Sequence, residues 1–264
     1  MTTKVVVQGA LGRMGREVVS AIVRDPELEV VGALELEVTQ DYLPLPDGSG
    51  LVPLSSDAVS LLKNCCPDVL VDFSVAEATM SVVPVAVNRH INMVIGTTGL
   101  SADDLAEIEH LAKESEVGVV VAPNFALGAV LLVHLAKVAA RFFDYAEIIE
   151  MHHQAKIDAP SGTALATARA MLAERGKPFS YSAAQKEALA GSRGGQMGGI
   201  ALHSVRLPGL MAHQEVILGG PGQTLSLRHD TINRECYMPG VILAIKEVQK
   251  HKGLVYGLDS LLGL

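Results

Sequence analysis

One short run of the chain sets proton donors, a cation and a helix start side by side. It reads Glu150-Met151-His152-His153-Gln154-Ala155-Lys156-Ile157-Asp158-Ala159-Pro160-Ser161-Gly162-Thr163-Ala164. Residues 148–151 read as the end of a buried strand, which would deliver the two imidazoles and then the ammonium of Lys156 to a loop. Pro160 stops regular structure, and Ser161 is the expected N-cap of a following helix. Leu165, Ala168, Met171 and Leu172 recur beyond it at helical spacing. The first N–H groups of a helix and its dipole favour an anion. Imidazole, ammonium and such a helix end together suit proton transfer to a small carboxylate-bearing substrate. Each residue alone has a plainer reading, since single histidines are commonly structural and Ser-Gly-Thr is ordinary capping. Their combination within one run argues for a site. Adjacent histidines also raise the question of a metal, but no third ligand stands at a usual spacing and neither HExxH nor CxxC occurs. No metal is expected.

The elements around this run follow a recognisable order. Val5-Val6-Val7-Gln8 is a short apolar strand, and Gly9-Ala10-Leu11-Gly12-Arg13-Met14-Gly15 is a Gly-rich turn. A helix with Val18, Val19, Ile22 and Val23 on one side ends at Asp25-Pro26, and residues 28–34 form a strand that finishes at Glu35. Strand, glycine turn, helix, strand and terminal acid make a dinucleotide-binding unit. Glycines let the backbone approach a pyrophosphate, and an acid about 20 residues after the last glycine can bond ribose hydroxyls. The turn departs from G-x-G-x-x-G, with Ala10 at the first glycine position and Gly9 one residue earlier. Residues 42–53, rich in Gly, Pro, Asp and Ser, read as a loop. Strands follow at 67–73, 91–95 and 117–121. The helix expected over 75–90 should kink or break at Pro84, and the one over 102–116 opens with a capping box from Ser101 and Asp104. The strands end in Asp72-Phe73-Ser74, Gly96-Thr97-Thr98-Gly99 and Ala122-Pro123-Asn124-Phe125. Alternating strands and helices imply a right-handed, doubly wound parallel sheet, which binds ligands beyond its C-terminal strand ends.

Residues 128–143 form an apolar helix, taken as a bridge between domains. Residues 183–199 form a loop, flexible or oligomer-forming. Segments 200–207, 214–218 and 224–228 alternate like antiparallel strands, and Pro239 opens a last helix over 240–250. No internal repeat is present.

The run at 150–164 closely resembles the E-x-H-H-x-x-K-x-D-A-P-S-G-T-A signature of the 4-hydroxy-tetrahydrodipicolinate reductase family, also called dihydrodipicolinate reductase. The family's G-x-x-G-R-M-G, D-F-[ST], G-T-T-G and A-P-N-F stretches precede it in order. His213-Gln214-Glu215-Val216 and Leu227-Arg228-His229-Asp230, followed by Arg234, are similar to its later H-x-E-V and R-H-x-x-x-x-R patches. The resemblance covers nearly the whole chain. It implies an α/β protein with an N-terminal Rossmann-type doubly wound parallel sheet and a C-terminal α+β domain carrying a mixed sheet. The expected division is residues 1–126, joined by the segment 236–264, for the dinucleotide, and 127–235 for substrate and oligomerisation.

The implied activity is hydride transfer from NADH and/or NADPH to a cyclic, conjugated imine dicarboxylate. Water is lost from the hydroxylated substrate, in lysine (diaminopimelate) biosynthesis. His152 matches the family's proton donor and Lys156 its second donor. His153, Gly162 and Thr163 match substrate-binding positions. Gly9, Ala10, Leu11, Gly12, Arg13, Met14, Glu35, Gly96, Thr97, Thr98, Ala122, Pro123, Asn124 and Phe125 match positions that bind the nicotinamide cofactor. The family also suggests a homotetramer. Read from the residues themselves, hydride arrival makes an electron-rich enamine that needs a proton, and an imidazole titrates near working pH. Lys156 can neutralise developing negative charge, and Asp158 is expected to orient it. Two rival readings remain. Another Rossmann-type dehydrogenase acting on an amino-acid semialdehyde would want a placed catalytic cysteine or a different acid/base set. A non-catalytic NAD(P)-sensing protein would have no reason to keep His152, Lys156 and Gly162-Thr163 together.

Composition agrees with an enzyme of small molecules. The chain has 264 residues, 49% apolar and 19% charged, enough for one large domain or two of ordinary size. Its mean hydropathy of +0.32 is high, yet its apolar runs are far below the ~20 residues a membrane span needs. Buried parallel strands, a large subunit interface, or both would account for the excess. The N-terminal residues run straight into a strand with no signal-peptide pattern. A formal net charge of -8 and 4% aromatic residues disfavour nucleic acid and anionic membranes. Cys65, Cys66 and Cys236 are odd in number and two are adjacent, which points to reduced thiols and a cytoplasmic location.

Overall fold

The computed structural model describes residues 2–264. In chain order its elements begin β1 (Thr3–Gln8), α1 (Arg13–Arg24), β2 (Leu28–Leu34), β3 (Tyr42–Pro44), β4 (Leu51–Ser55) and α2 (Ala58–Cys65). Next come β5 (Val69–Asp72), α3 (Ala76–Val87), β6 (Asn92–Ile95), α4 (Ala102–Glu114), β7 (Gly118–Val121) and α5 (Leu127–Ala140). The chain continues with β8 (Tyr145–His152), α6 (Gly162–Arg175), β9 (Gly195–Met197), β10 (Ile200–Arg206), β11 (Ala212–Gly220) and β12 (Gln223–Thr231). It closes with α7 (Met238–Val248), β13 (Gly253–Tyr256) and α8 (Leu258–Leu262). Two compact units result, Met1–Ala126 with Arg234–Leu264, and Leu127–Asn233.

The first unit holds an eight-stranded sheet in the order β13-β7-β6-β5-β1-β2-β4-β3. Among the described residues, only its β3/β4 pair is antiparallel. Its central strands are apolar throughout rather than alternating because both faces are covered. Leu61, Leu62, Val82, Val83, Ile108 and Ala112, on α2, α3 and α4, pack with Val6, Leu70, Met93 and Val119 of the sheet. Val5 and Val7 point to the opposite face and are equally buried, where α1 and α7 pack. The strand order reverses between β1 and β5, so the turn after β1 lies at the topological switch point, where doubly wound sheets open a crevice.

Several expectations are corrected here. Residues 42–53 are not a loop: β3 and β4 form a short hairpin, and β4 extends the sheet beside β2. Val52 and Leu54 are buried there, but one Pro-interrupted alternation is too short to stand out from its Gly- and Pro-rich surroundings. The helix α2, capped by Asp57 accepting from Ser60 N, and the edge strand β13 beside β7 were not anticipated. Pro84 lies inside α3 without dividing it, and the helix ends less than a turn later. The capping box of Ser101 and Asp104 forms as expected.

The second unit holds a five-stranded sheet in the order β12-β11-β8-β10-β9. β10 runs parallel to β8, not antiparallel as its alternation suggested. Alternation reports one covered face and says nothing of strand direction; a crossover containing a helix, here α6, sets a parallel pair. Within the segment 183–199, expected as a loop, β9 pairs with β10. The helix α5, expected as a bridge, belongs wholly to this unit. Leu132 and Ala136 of α5 and Ala164, Ala168 and Met171 of α6 bury one face of the sheet with Ile148, Leu202 and Val216. No helix among the described residues is long and apolar enough to cross a membrane.

Candidate active site

In the first unit, Gly9, Ala10, Leu11 and Gly12 form the turn from β1 into α1, and Arg13 and Met14 start the helix. A Cβ on Gly15 would stand 2.0 Å from the carbonyl oxygen of Gly9, so only glycine lets α1 close against the turn. Gly12 is the N-cap and provides no side-chain cap, which leaves the first amides of α1 to an anion. Glu35, at the end of β2, accepts a hydrogen bond from Leu11 N at 2.5 Å. Acid and turn therefore meet at one corner. A cavity of about 320 Å³ opens there, lined by Gly9, Gly12 and Glu35 of the expected residues, with Leu36, Ser56, Phe73 and Ser74 among others. An uncapped helix end, glycines at closest approach and an acid across the turn are the fit a dinucleotide requires.

Of the other expected cofactor residues, Ala10, Leu11, Arg13 and Met14 belong to the same turn and helix start, whereas residues 96–98 and 122–125 follow β6 and β7; none of these lines the cavity. Side-chain contacts tie the loops at 96–98 and 122–125 to the Asp72-Phe73-Ser74 strand end expected from the sequence. The Phe73 ring lies over Gly96, where a Cβ would be 2.1 Å from the ring, and packs against Phe125 with centroids 5.6 Å apart. Ser74 N donates to Thr97 Oγ1 at 3.0 Å. Fully buried Asp72 accepts from Ser74 N, Ser74 Oγ and Thr79 Oγ1. Burial pushes its carboxyl above the usual range although these donors oppose the shift. Thr97, Ala122 and Phe125 are buried and shape the loops, whereas Thr98 and Pro123 are exposed and Gly96 and Asn124 half-buried.

In the second unit β8 ends at His152, with the side chains of Glu150 and His152 on the same face of the strand. Glu150 is 1% exposed. Its Oε2 meets His152 Nδ1 at 2.5 Å, and its Oε1 accepts from Ser161 N at 3.2 Å. Arg206, at the end of β10, clamps the carboxylate from behind with both terminal nitrogens, at 2.9 and 2.7 Å. The same guanidinium donates to Asp158 O at 2.7 Å. Asp158 in turn pairs with Lys156 Nζ at 2.7 Å, the contact expected from the sequence. Ser161 caps α6 by accepting from Ala164 N. Gly162 and Thr163 follow as the first helical residues, both exposed. Helix geometry gives their amides no intrahelical acceptor, and no atom would lie within 4 Å of a Cβ on Gly162. His153, the residue after the end of β8, is exposed.

The electrostatics follow from this arrangement. Burial raises the Glu150 carboxyl, but hydrogen bonds from Arg206, Ser204 and His152 outweigh it and hold the group below the usual carboxylate range. A charged Glu150 can only accept, which favours the His152 tautomer that carries its proton on Nδ1. His152 is itself pulled below the ordinary histidine value. Burial is the largest cause, Glu150 opposes it, and the charges of Lys156 and Arg206 add to it. A neutral His152 therefore presents Nε2 away from Glu150. An approaching dianion would raise its basicity and let it take up a proton.

Glu150 and Arg206 were not named as site residues from the sequence. Glu150 had a signal, being a carboxylate two residues before a histidine on one strand. Arg206 had none, since it reaches the site only through the pairing of β10 with β8.

The comparisons with known proteins agree with this geometry. Residues 3–125 match the family described as "Dihydrodipicolinate reductase, N-terminus", and residues 128–262 match "Dihydrodipicolinate reductase, C-terminus". A 4-hydroxy-tetrahydrodipicolinate reductase of Dehalococcoides mccartyi is 54% identical over 261 residues, covering 99% of this chain and 98% of that protein. One from Moorella thermoacetica is 50% identical over 266 residues, covering 99% and 98%. Among solved structures, a dipicolinate-bound dihydrodipicolinate reductase from Paenisporosarcina sp. TG-14 superposes with a TM-score of 0.89 at 40% identity, covering 98% of this chain and 99% of that one. With both halves matched and full-length relatives this similar, the chain belongs to the dihydrodipicolinate reductase (4-hydroxy-tetrahydrodipicolinate reductase) family.

Proposed function

We propose that this protein reduces 4-hydroxy-tetrahydrodipicolinate to tetrahydrodipicolinate with NADH or NADPH, releasing water, as a step of lysine and diaminopimelate biosynthesis. The observation that carries this reading is the run 150–164, whose acid, cation and helix start meet at one strand end, in a chain 54% identical to a reductase of that name. The first unit holds the dinucleotide, with the uncapped start of α1 at the pyrophosphate and Glu35 at the ribose. When bound, the nicotinamide supplies a hydride. In the second unit Gly162 and Thr163 offer N–H groups to one substrate carboxylate, with His153 beside them. His152 gives a proton from Nε2 to the carbon that becomes electron-rich, and Glu150 supports the imidazolium. Lys156, aligned by Asp158, is the second donor and offsets the substrate's negative charge. The test is loss of nicotinamide absorbance with the cyclic hydroxylated imine, coupled to detection of tetrahydrodipicolinate. Absence of turnover with both NADH and NADPH by the folded protein would sink the reading.

Two finer features belong to the same proposal. The protein is a homotetramer assembled through the second unit, as its exposed apolar residues suggest: Leu131, Leu135, Val138 and Phe142 on or just after α5, with Tyr145 and Leu225. It works in the cytoplasm, consistent with cysteines that form no disulfide among the described residues. Light scattering of the purified protein checks the assembly, and a monomer at micromolar concentration would exclude it.

A further inference from the structure

We propose that Glu150, backed by Arg206, is the positioning residue of the reaction: one buried carboxylate fixes the working face of His152 and fastens it to the start of α6. The inference rests on the reaction assigned above to His152 and the α6 amides.

Three elements converge on Glu150. From β8 comes His152 Nδ1, from β10 the two-pronged guanidinium of Arg206, and from the α6 N-cap the Ser161 amide. A carboxylate facing Nδ1 keeps the proton on that nitrogen, so Nε2 is the nitrogen presented to substrate. The carboxylate also favours the imidazolium that His152 must become before it can donate a proton. A ring fixed in tautomer and orientation by a buried acid is worth orders of magnitude in catalysis where such dyads have been broken. The bond to Ser161 has a second consequence. The amides that would grip a substrate carboxylate directly follow Ser161, so proton donor and anion grip are referenced to one group. Arg206 is needed because a charged carboxylate 1% exposed is tolerated only when paired. Arg206 also draws charge density from Glu150 and limits how strongly the carboxylate supports His152. The charged groups acting on His152 are Glu150 on its own strand, Arg206 from β10, and Lys156 of the following loop.

This arrangement predicts opposite responses at His152 from the two partners. Glu150→Gln removes the negative charge at constant shape, so the titration midpoint of His152 should fall and its tautomers mix. Arg206→Met removes a positive charge and releases the carboxylate, so the midpoint should rise. Glu150→Asp keeps the charge and should restore the wild-type direction in part. The experiment is an NMR titration of 15N-labelled imidazoles in the full chain, with the His152 signals identified by their loss in His152→Asn. It is run beside kcat, KM and the NADH dissociation constant. Glu150→Gln should lower kcat by about 10²-fold or more, within the range of general-acid contributions, and leave NADH affinity unchanged. A residue that only stabilises the fold would lower the melting temperature in both variants without moving His152 in opposite directions. Midpoints that stay put or move together overturn the proposal, as does a kcat for Glu150→Gln near wild type. If Glu150→Gln does not fold, Glu150→Asp and Arg206→Met still give the two signs. The titration needs no substrate. Inactivity of the wild type would therefore remove the assigned reaction, while the titration still decides the role of Glu150.

Discussion

The two sites of the molecule are built from different materials. In the first unit the corner proposed for the dinucleotide is made of backbone: glycines, the uncapped amides of α1, and one acid that bonds Leu11 N. In the second unit the site is organised by side chains from β8 and β10 that meet at Glu150, with the loop after β8 joined to them through Arg206. Backbone sites follow from turn geometry and stand within one stretch of chain. Side-chain sites depend on strand pairing, and each member is worth what its partners make of it. The first should therefore fail by steric change, and the second by loss of charge or hydrogen bonding.

The largest effect expected from that contrast is at the proposed proton donors. His152→Ala and Lys156→Ala should each lower kcat by about 10²–10⁴-fold, with NADH affinity and melting temperature near wild type. The double variant should lose less than the product of the single losses, because residues that act as a unit are not additive. A near-normal kcat in either single variant would remove that residue from the assignment.

A steric pair tests the other side of the comparison. Gly15→Ala would place a methyl 2.0 Å from a backbone oxygen, whereas Gly162→Ala meets no atom within 4 Å. The first should cost about 1–3 kcal/mol of stability or more and weaken NADH binding. The second should keep its fold and its amide and lose little. Equal melting temperatures would contradict the account of the α1 turn.

Cofactor choice should change by less. Glu35 suits the two ribose hydroxyls of NADH and repels a 2′-phosphate, and the next residue is exposed Leu36 rather than an arginine. NADH should be used at least as well as NADPH, and Leu36→Arg should raise kcat/KM for NADPH by roughly tenfold, the worth of one exposed-to-half-buried charge contact. A large wild-type preference for NADPH would show that Arg13, at the start of α1, reaches the phosphate instead.

The smallest effect is a pH limb. Because burial and neighbouring cations lower the His152 value, the protonated form in the uncomplexed enzyme is lost at a lower pH than for an ordinary histidine. If His152 is the donor, kcat/KM should therefore fall with rising pH along a limb below the usual histidine range. The limb for kcat should lie higher, since the bound dianion raises the group. Coincident limbs would argue that substrate charge does not reach His152.

Much of this protein was decided within short stretches of its sequence. The turn at residues 9–15, the strand end at Glu35, the cap at Ser161 and the apolar central strands are local matters of sterics, spacing and capping, and the fold places them where the sequence puts them. The pairing of Lys156 with Asp158 belongs with them, since two residues of separation suffice. What tertiary structure alone decided are the contacts whose partners lie far apart along the chain. The strand β4 beside β2 and the edge strand β13 beside β7 are short segments that become strands because a sheet edge is there to pair with. The parallel course of β10 beside β8 could not be read from alternation, which encodes a buried face but no direction. That pairing brings Arg206 to Glu150 across 56 residues of chain. It turns an acid that by itself reads as one more polar residue on a strand into the buried charge that His152, Ser161 and Arg206 share.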